Sequence, residues 1–226
     1  MPRSFIIMLI SLTLLPLMAC RSGEFPNQSE DTTSQPAVVQ PLPAHPITFT
    51  SDDVHLSVNQ LANWESFTTD HGIVTGERFG SVATAGVLEG LMLYIYVTPL
   101  PAVTLSAQRD ANLAQTTLNA LLNTPHMAAH MAFTRPNSFE WDGYPAAYYL
   151  MSSVDETATL VIGIAIPEHD LLLSCSISAP YAQRNRIRAL LPALLNGLTM
   201  NEVVFTGDAL QTLPATLPFP QRAAVP

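Results

Sequence analysis

Three apolar, β-rich runs at residues 144–151, 158–167 and 171–178 are separated by only a few residues each. A parallel crossover needs a dozen or more residues, so runs this close can pair only as antiparallel neighbours. Glu168-His169-Asp170 reads as the hairpin turn between the last two. Earlier strands are expected at 55–59, where polar and apolar residues alternate, at 73–79 after the His71-Gly72 turn, and at 91–98. Pro99 and Pro101 stop pairing after the last of these, because proline has no amide hydrogen to give a ladder.

Helical spacing interrupts the strands twice. Ser106 can cap a segment in which Ala111, Ala114, Leu118, Leu121 and Leu122 recur at intervals of three and four. Thr124-Pro125 reads as a second helical start, running through His126 to Met131 and ending before Pro136. The last helix is expected to open at Pro180, with Ile187, Leu190, Leu191, Leu194 and Leu195 on one side, a kink at Pro192 and a C-cap at Gly197. A short strand at 199–205 closes the order. The expected class is α+β, an antiparallel β-sheet covered by two long helices, in one globular domain at 47–206. No period of twenty to fifty residues repeats, which excludes a solenoid.

The flanks differ in composition. Residues 207–226 are proline-rich and read as an extended tail. Residues 20–46 are polar and poor in large apolar side chains, the signature of a disordered tether. Before them, Arg3 precedes an uncharged run of about fifteen residues, closer to a signal-peptide core than to the roughly twenty apolar residues of a spanning helix. The run ends in Leu17-Met18-Ala19-Cys20, which resembles the lipobox of bacterial lipoproteins. That resemblance implies cleavage of residues 1–19, diacylglyceryl transfer to the Cys20 thiol and acylation of the new amino terminus. The chain is then expected at the cell membrane or outer membrane, lipid-anchored and facing outside the cytoplasm. Arg21 stands where an aspartate would give the usual inner-membrane retention cue in that family.

Charge narrows the function classes. The mature chain carries eight arginines, no lysine and all eighteen acids, a net of −10. Such a surface repels phosphate backbones, so nucleic acid is not an expected partner. No polybasic patch helps the lipid, and anchoring rests on acyl chains at roughly 0.8 kcal/mol per buried methylene. With Cys20 lipidated, Cys175 has no partner for an intramolecular disulfide, and its strand-like setting suggests a buried structural thiol.

Two short stretches carry a fold resemblance. Leu56-Ser57-Val58-Asn59-Gln60-Leu61-Ala62-Asn63-Trp64 is similar to the opening strand and turn of PsbP-like domains. Trp141-Asp142-Gly143-Tyr144-Pro145-Ala146-Ala147 resembles their step from a glycine turn into a strand. The resemblance implies an α/β/α sandwich around an antiparallel sheet, in proteins that mostly act as binding or assembly factors. It carries no binding residue onto this chain.

Few constellations could carry chemistry. His126 and His130 are four apart and share a face on a helix, with Met127 and Met131 beside them. Imidazoles next to thioethers outside the cytoplasm suit copper better than zinc, so a metal site of His126, His130 and Met131 is the alternative function. Met127 replaces the glutamate of a metalloprotease His-Glu-x-x-His. Asp70-His71 and His169-Asp170 fall in turns, where both residue types are common. Arg184, Arg186 and Arg188 form a basic cluster, in which 184 and 188 share a helical face able to fork a carboxylate or phosphate. Trp64, Trp141 and Tyr144, with Tyr148 and Tyr149, gather near turns and could form core or a recognition rim. No serine stands in a Gly-x-Ser-x-Gly setting. The sequence therefore points to a non-catalytic binding or assembly module that needs no cofactor, with an envelope protein as its expected partner. Replacing Cys20 by serine is expected to abolish incorporation of labelled fatty acid and leave full-length precursor on a gel; normal maturation of that variant would refute the lipobox.

Overall fold

The computed structural model describes residues 45–51, 53–79, 88–100, 112–123 and 131–221. Cys20, Ser106, Thr124-Pro125, His126 and His130 lie outside the described residues. Twelve strands and two helices stand among those described. They run β1 (His45–Ser51), β2 (Val54–Gln60), β3 (Glu65–Thr69), β4 (Gly72–Gly76), β5 (Met92–Pro99) and α1 (Leu113–Leu122). Next come β6 (Met131–Phe133), β7 (Asn137–Trp141), β8 (Tyr144–Ser153), β9 (Thr157–Ile166) and β10 (Leu171–Pro180). The chain closes with α2 (Asn185–Leu195), β11 (Leu198–Met200), β12 (Val203–Phe205) and a 3₁₀ stretch at Gly207–Thr212.

The strands form two antiparallel sheets. The larger is ordered β3-β4-β5-β10-β9-β8-β6, with β7 also paired to β8; the smaller is β1-β2-β11-β12. β6 and β7 lie end to end along one edge of β8, and Pro136 falls in the break between them. Tight turns join the consecutive core strands, including the one expected at Glu168-His169-Asp170. Asp142 and Gly143, both at positive φ, turn β7 into β8, the two-residue geometry that Asp-Gly favours. Pro167–His169 and a left-handed Asp170 turn β9 into β10.

The expected covering of the sheet by two long helices is overturned. α1 has ten residues and α2 eleven, and β-structure makes most of the fold. Asn112 is the cap of α1, its side chain accepting the Gln115 amide at 2.9 Å. Pro180 ends β10 instead of opening a helix, and a 3₁₀ turn at Tyr181–Gln183 intervenes before α2. The expected last strand is a hairpin, β11 and β12, turned at a left-handed Asn201. Met131 begins a strand and does not continue a helical turn.

β9 explains the layering. All but its first residue are buried, so both faces of the sheet need cover. On one face Leu160, Ile162, Ile164 and Ile166, with Leu173, Cys175 and Ile177 of β10, pack against α2 and the smaller sheet. α2 contributes Ile187, Leu191, Leu194 and Leu195, while Leu56, Val58, Met200 and Phe205 come from the strands. On the other face Ala147, Val161 and Ala165 receive Ala114, Leu118 and Leu122 of α1. Gly163 lies directly beneath: a Cβ there would stand 3.3 Å from the Leu118 side chain.

The proline-rich segment expected as a tail is laid against the domain as far as Gln221. Leu210, Leu213 and Leu217 are buried in the larger core cluster, and Phe219 packs on it. Arg188 fixes the segment from below, its Nε donating to the Pro214 carbonyl at 2.8 Å and its Nη2 to that of Leu213 at 3.1 Å. The hydroxyls of Ser152 and Tyr181 donate to the Pro220 carbonyl at 3.0 and 3.2 Å. This backbone has no strand ladder of its own, so buried leucines three and four residues apart and borrowed donors hold it. Leu217→Ala is expected to cost about 2–3 kcal/mol in urea denaturation; a change under a few tenths would show that the segment is not part of the folded unit.

Candidate functional site

α2 shows three sides. Its buried stripe faces the sheet, and the residues between project sideways into two separate clefts. The larger cleft, about 520 Å³, is lined by Leu61, Ala62, Asn63 and Trp64 from the β2–β3 turn, Glu77 and Arg78 after β4, and Arg186 and Leu190 of α2. Its wall is apolar on the Trp64 and Leu190 side and charged on the other. Asn63, at φ 67°, turns the chain so that the Trp64 amide donates to the Leu61 carbonyl at 3.1 Å. The Gln60 side chain donates to the Trp64 carbonyl and closes the turn.

Across the cleft Arg186 grips Glu77 with two nitrogens. Its Nη1 donates to Oε2 at 3.1 Å and its Nη2 to Oε1, the parallel fork that makes arginine–carboxylate pairs directional. Oε2 also accepts the Leu91 amide at 3.0 Å, and Gln183 Oε1 accepts Arg186 Nη1 at 2.6 Å. Gly90 permits this approach, since a Cβ there would lie 2.5 Å from Glu77 Oε2. Arg78 pairs with Glu89 at 3.5 Å, and Gln183 donates to the Glu89 carbonyl. Glu77 after β4 and Glu89 before β5 are thereby tied to Arg186 of α2 and to Gln183 just before it. Burial pushes the Glu77 carboxyl up, but the Arg186 fork, the Leu91 amide and the charges of Arg186 and Arg78 outweigh it and hold it below its ordinary 4.5. Glu77 is therefore locked as a carboxylate, unlike a general acid, which must hold its proton near neutral pH.

The three aromatic residues expected at a rim are not in one place. Trp141 is 0 % exposed, with its Nε1 donating to the Thr206 carbonyl at 2.8 Å. Its ring meets Phe205 edge-on at 5.6 Å, and Tyr144 meets the same ring at 5.7 Å. The Asp142 carboxylate accepts both the amide and the hydroxyl of Thr206, tying the β7–β8 turn to the end of β12. Tyr144 is half-buried; the hydrogen bond from its hydroxyl to Glu168, with some burial and the charge of that carboxylate, raises its pKa. Trp64 stands at the α2 cleft. Of the three, Tyr144 is half-exposed, whereas Trp64 is 8 % exposed and lines the cleft from the core side.

The remaining candidates are placed as follows. Met131 is half-buried in β6, and its proposed partners His126 and His130 lie outside the described residues. Among the described residues no cluster of three or more His, Cys, Asp or Glu side chains could hold a metal ion. Cys175 is fully buried, and that burial pushes its thiol up, the opposite of what a nucleophile needs. Asp70, His71, His169 and Asp170 sit in or beside turns. The Arg186–Glu77 pair spans 109 residues, and no local signal announces such a partner.

No family model matches the chain, and no curated protein matches it. Among solved structures the chain is similar to cyanobacterial PsbP from Synechocystis sp. PCC 6803, at 13 % identity over 70 % of this chain and 91 % of that one, with a TM-score of 0.39. It is similar to a mutant of the protein Mog1 at 10 % identity, covering 66 % and 83 % of the two chains, with a TM-score of 0.41. The Saccharomyces cerevisiae Ran-binding protein Mog1p matches at 10 % identity over 66 % and 82 %, with a TM-score of 0.38. With TM-scores below 0.5, these likenesses assign neither a partner nor an activity to this chain.

The clasp has a pH signature. Because the folded pKa of Glu77 is lowered, its stabilisation is present above about pH 4.5 and is lost as pH falls through the folded value. Glu77→Gln is expected to cost about 1 kcal/mol at neutral pH, the modest figure suiting a partly exposed pair. The gap from wild type should close near pH 3, read by urea denaturation at both values; a gap independent of pH would refute the clasp.

Proposed function

We propose that this chain is a lipid-anchored extracytoplasmic binding module, tethered to a membrane through Cys20, that holds an envelope protein partner at the cleft between Trp64 and α2. The observation that carries the reading is the make-up of that cleft. An apolar wall of Trp64, Leu61 and Leu190 faces a charged wall in which Arg186 and Glu77 are already paired. Side chains fixed in advance lose little entropy on binding, and tryptophan and arginine are the residues most often responsible for affinity at protein interfaces. A partner segment presenting one apolar side chain, flanked by polar groups for Arg78 and the Arg186–Glu77 pair, matches this lining.

The chemistry of the cleft favours binding over turnover. Glu77 is held ionised by its partners, and Cys175, whose thiol is raised by burial, lines neither cleft beside α2. The lipobox supplies the second support, since acyl chains confine the domain to a membrane surface where envelope proteins are concentrated. Copper binding by His126, His130 and Met131 rests on sequence spacing alone, since both histidines lie outside the described residues.

A photo-crosslinking amino acid at Ala62, in living cells, is expected to yield one discrete adduct that Leu190→Glu abolishes, while the same probe at Asp155 yields none. Equal adducts from both positions, or an Ala62 adduct indifferent to Leu190→Glu, would remove the cleft as the docking site.

A further inference from the structure

The other side of α2 presents a different chemistry. Arg184 and Arg188, one helical turn apart, line a second cleft of about 270 Å³ whose far wall is the laid-down segment at Ala215, Thr216 and Leu217. Both guanidiniums are held in place by neutral groups. Arg184 lies 4.5 Å over the Tyr181 ring and gives its Nη1 to the Tyr181 carbonyl at 2.9 Å. Arg188 is fixed by the Pro214 and Leu213 carbonyls through Nε and Nη2. Among the described residues, the ion pairs are made by Arg78 and Arg186, and no carboxylate pairs with Arg184 or Arg188. Acids are not scarce, since the chain has eighteen of them against nine basic residues. Two fixed guanidiniums, which no carboxylate among the described residues neutralises, converge on one cleft.

We propose that this cleft binds a phosphate monoester group, as a site separate from the one beside Trp64. Each guanidinium has five N–H donors, and the contacts above leave Nε and Nη2 of Arg184 and Nη1 of Arg188 open. A phosphate monoester carries about −1.5 to −2 charges at neutral pH with three strong acceptor oxygens, which balances two guanidiniums; a carboxylate would leave one uncompensated. The Thr216 hydroxyl on the opposite wall can serve the third oxygen, and the apolar groups of Leu217 and Phe219 suit the ester side. The acidic surface of the chain disfavours a long polyanion, but fields from exposed charges fade within about 8 Å at physiological salt, so one group in a local cationic cleft is not repelled. The positive end of α2 adds to the same sign. The phosphate can belong to a soluble ester or to a lipid headgroup.

The full chain in neutral detergent micelles, titrated calorimetrically, separates these sources. One arm uses glycerol 3-phosphate and the other dioctanoyl phosphatidic acid doped into the micelles. Saturable binding is expected at millimolar or lower concentration in at least one arm. Arg184→Gln should weaken it roughly tenfold, the loss of one charge-assisted contact. Arg184→Lys, which keeps the charge and leaves Arg188 holding its carbonyls, should recover part of the affinity, and Arg135→Gln should change nothing. Binding only in the phosphatidic acid arm identifies a headgroup source, and binding in both a soluble ester. Absence of binding in both arms, or equal weakening by Arg184→Gln and Arg135→Gln, would overturn the site.

Discussion

The fold depends on the double-sided burial of its central strands. In β9 every side chain but the first is removed from water, and in the neighbouring β10 six of ten are. A fully buried leucine or isoleucine is worth roughly 1.5–3 kcal/mol, so a two-faced apolar strand is stable only when both faces are covered. Every other element follows from that demand. α1 covers one side over a floor of small residues at Ala147, Gly163 and Ala165. On the opposite side α2 alone is too short, and the smaller sheet with the proline-rich segment completes the cover. Strands from the start of the domain and from its end meet in that smaller sheet, where Thr199 pairs with Ser57 and Met200 with Leu56.

That same economy makes α2 the organising element of the surface. Its buried stripe packs on the sheet, and its arginines project from either flank. Arg186 reaches one way to Glu77 at the end of β4. Arg188 reaches the other way to the Leu213 and Pro214 carbonyls, holding the chain's last segment. Alternation along an eleven-residue helix thus sends neighbouring arginines to opposite sides, and each side closes a cleft.

How much of this the sequence disclosed depended on whether the determining signal was local. The antiparallel core strands were legible because short turns leave no other topology, and Asp170 delivers the turn read at 168–170. Helix length was not. The periodicity of Ala114, Leu118 and Leu122 reports a face but not a start, and Asn112 supplies the cap within reach of Gln115. β1 and β3 were missed because exposed residues such as Thr48, Thr68 and the half-exposed Phe67 give a weak pattern. Leu213 and Leu217 looked like tail residues because proline forbids regular pairing, yet an irregular segment can still bury single leucines. Of the aromatic residues, Trp141 was drawn inward by the one acceptor its indole reaches, the Thr206 carbonyl, a contact across 65 residues.

The three arginines show the limit most clearly. In the sequence they are a basic cluster whose members look equivalent, and helical geometry separates only 186 from the 184 and 188 pair. Their environments then diverge by partner. Arg186 meets a carboxylate that also accepts a backbone amide, so its charge is spent within the protein. Arg184 and Arg188 meet an aromatic ring and backbone carbonyls, which orient a guanidinium without neutralising it. Neutral acceptors thus fix the direction of a charge while preserving it. A chain with acids to spare that nonetheless holds two cations in this way keeps their field available to a ligand. Net charge alone would have denied such a chain any anion, and the arrangement around α2 shows why a total is a poor guide to one cleft.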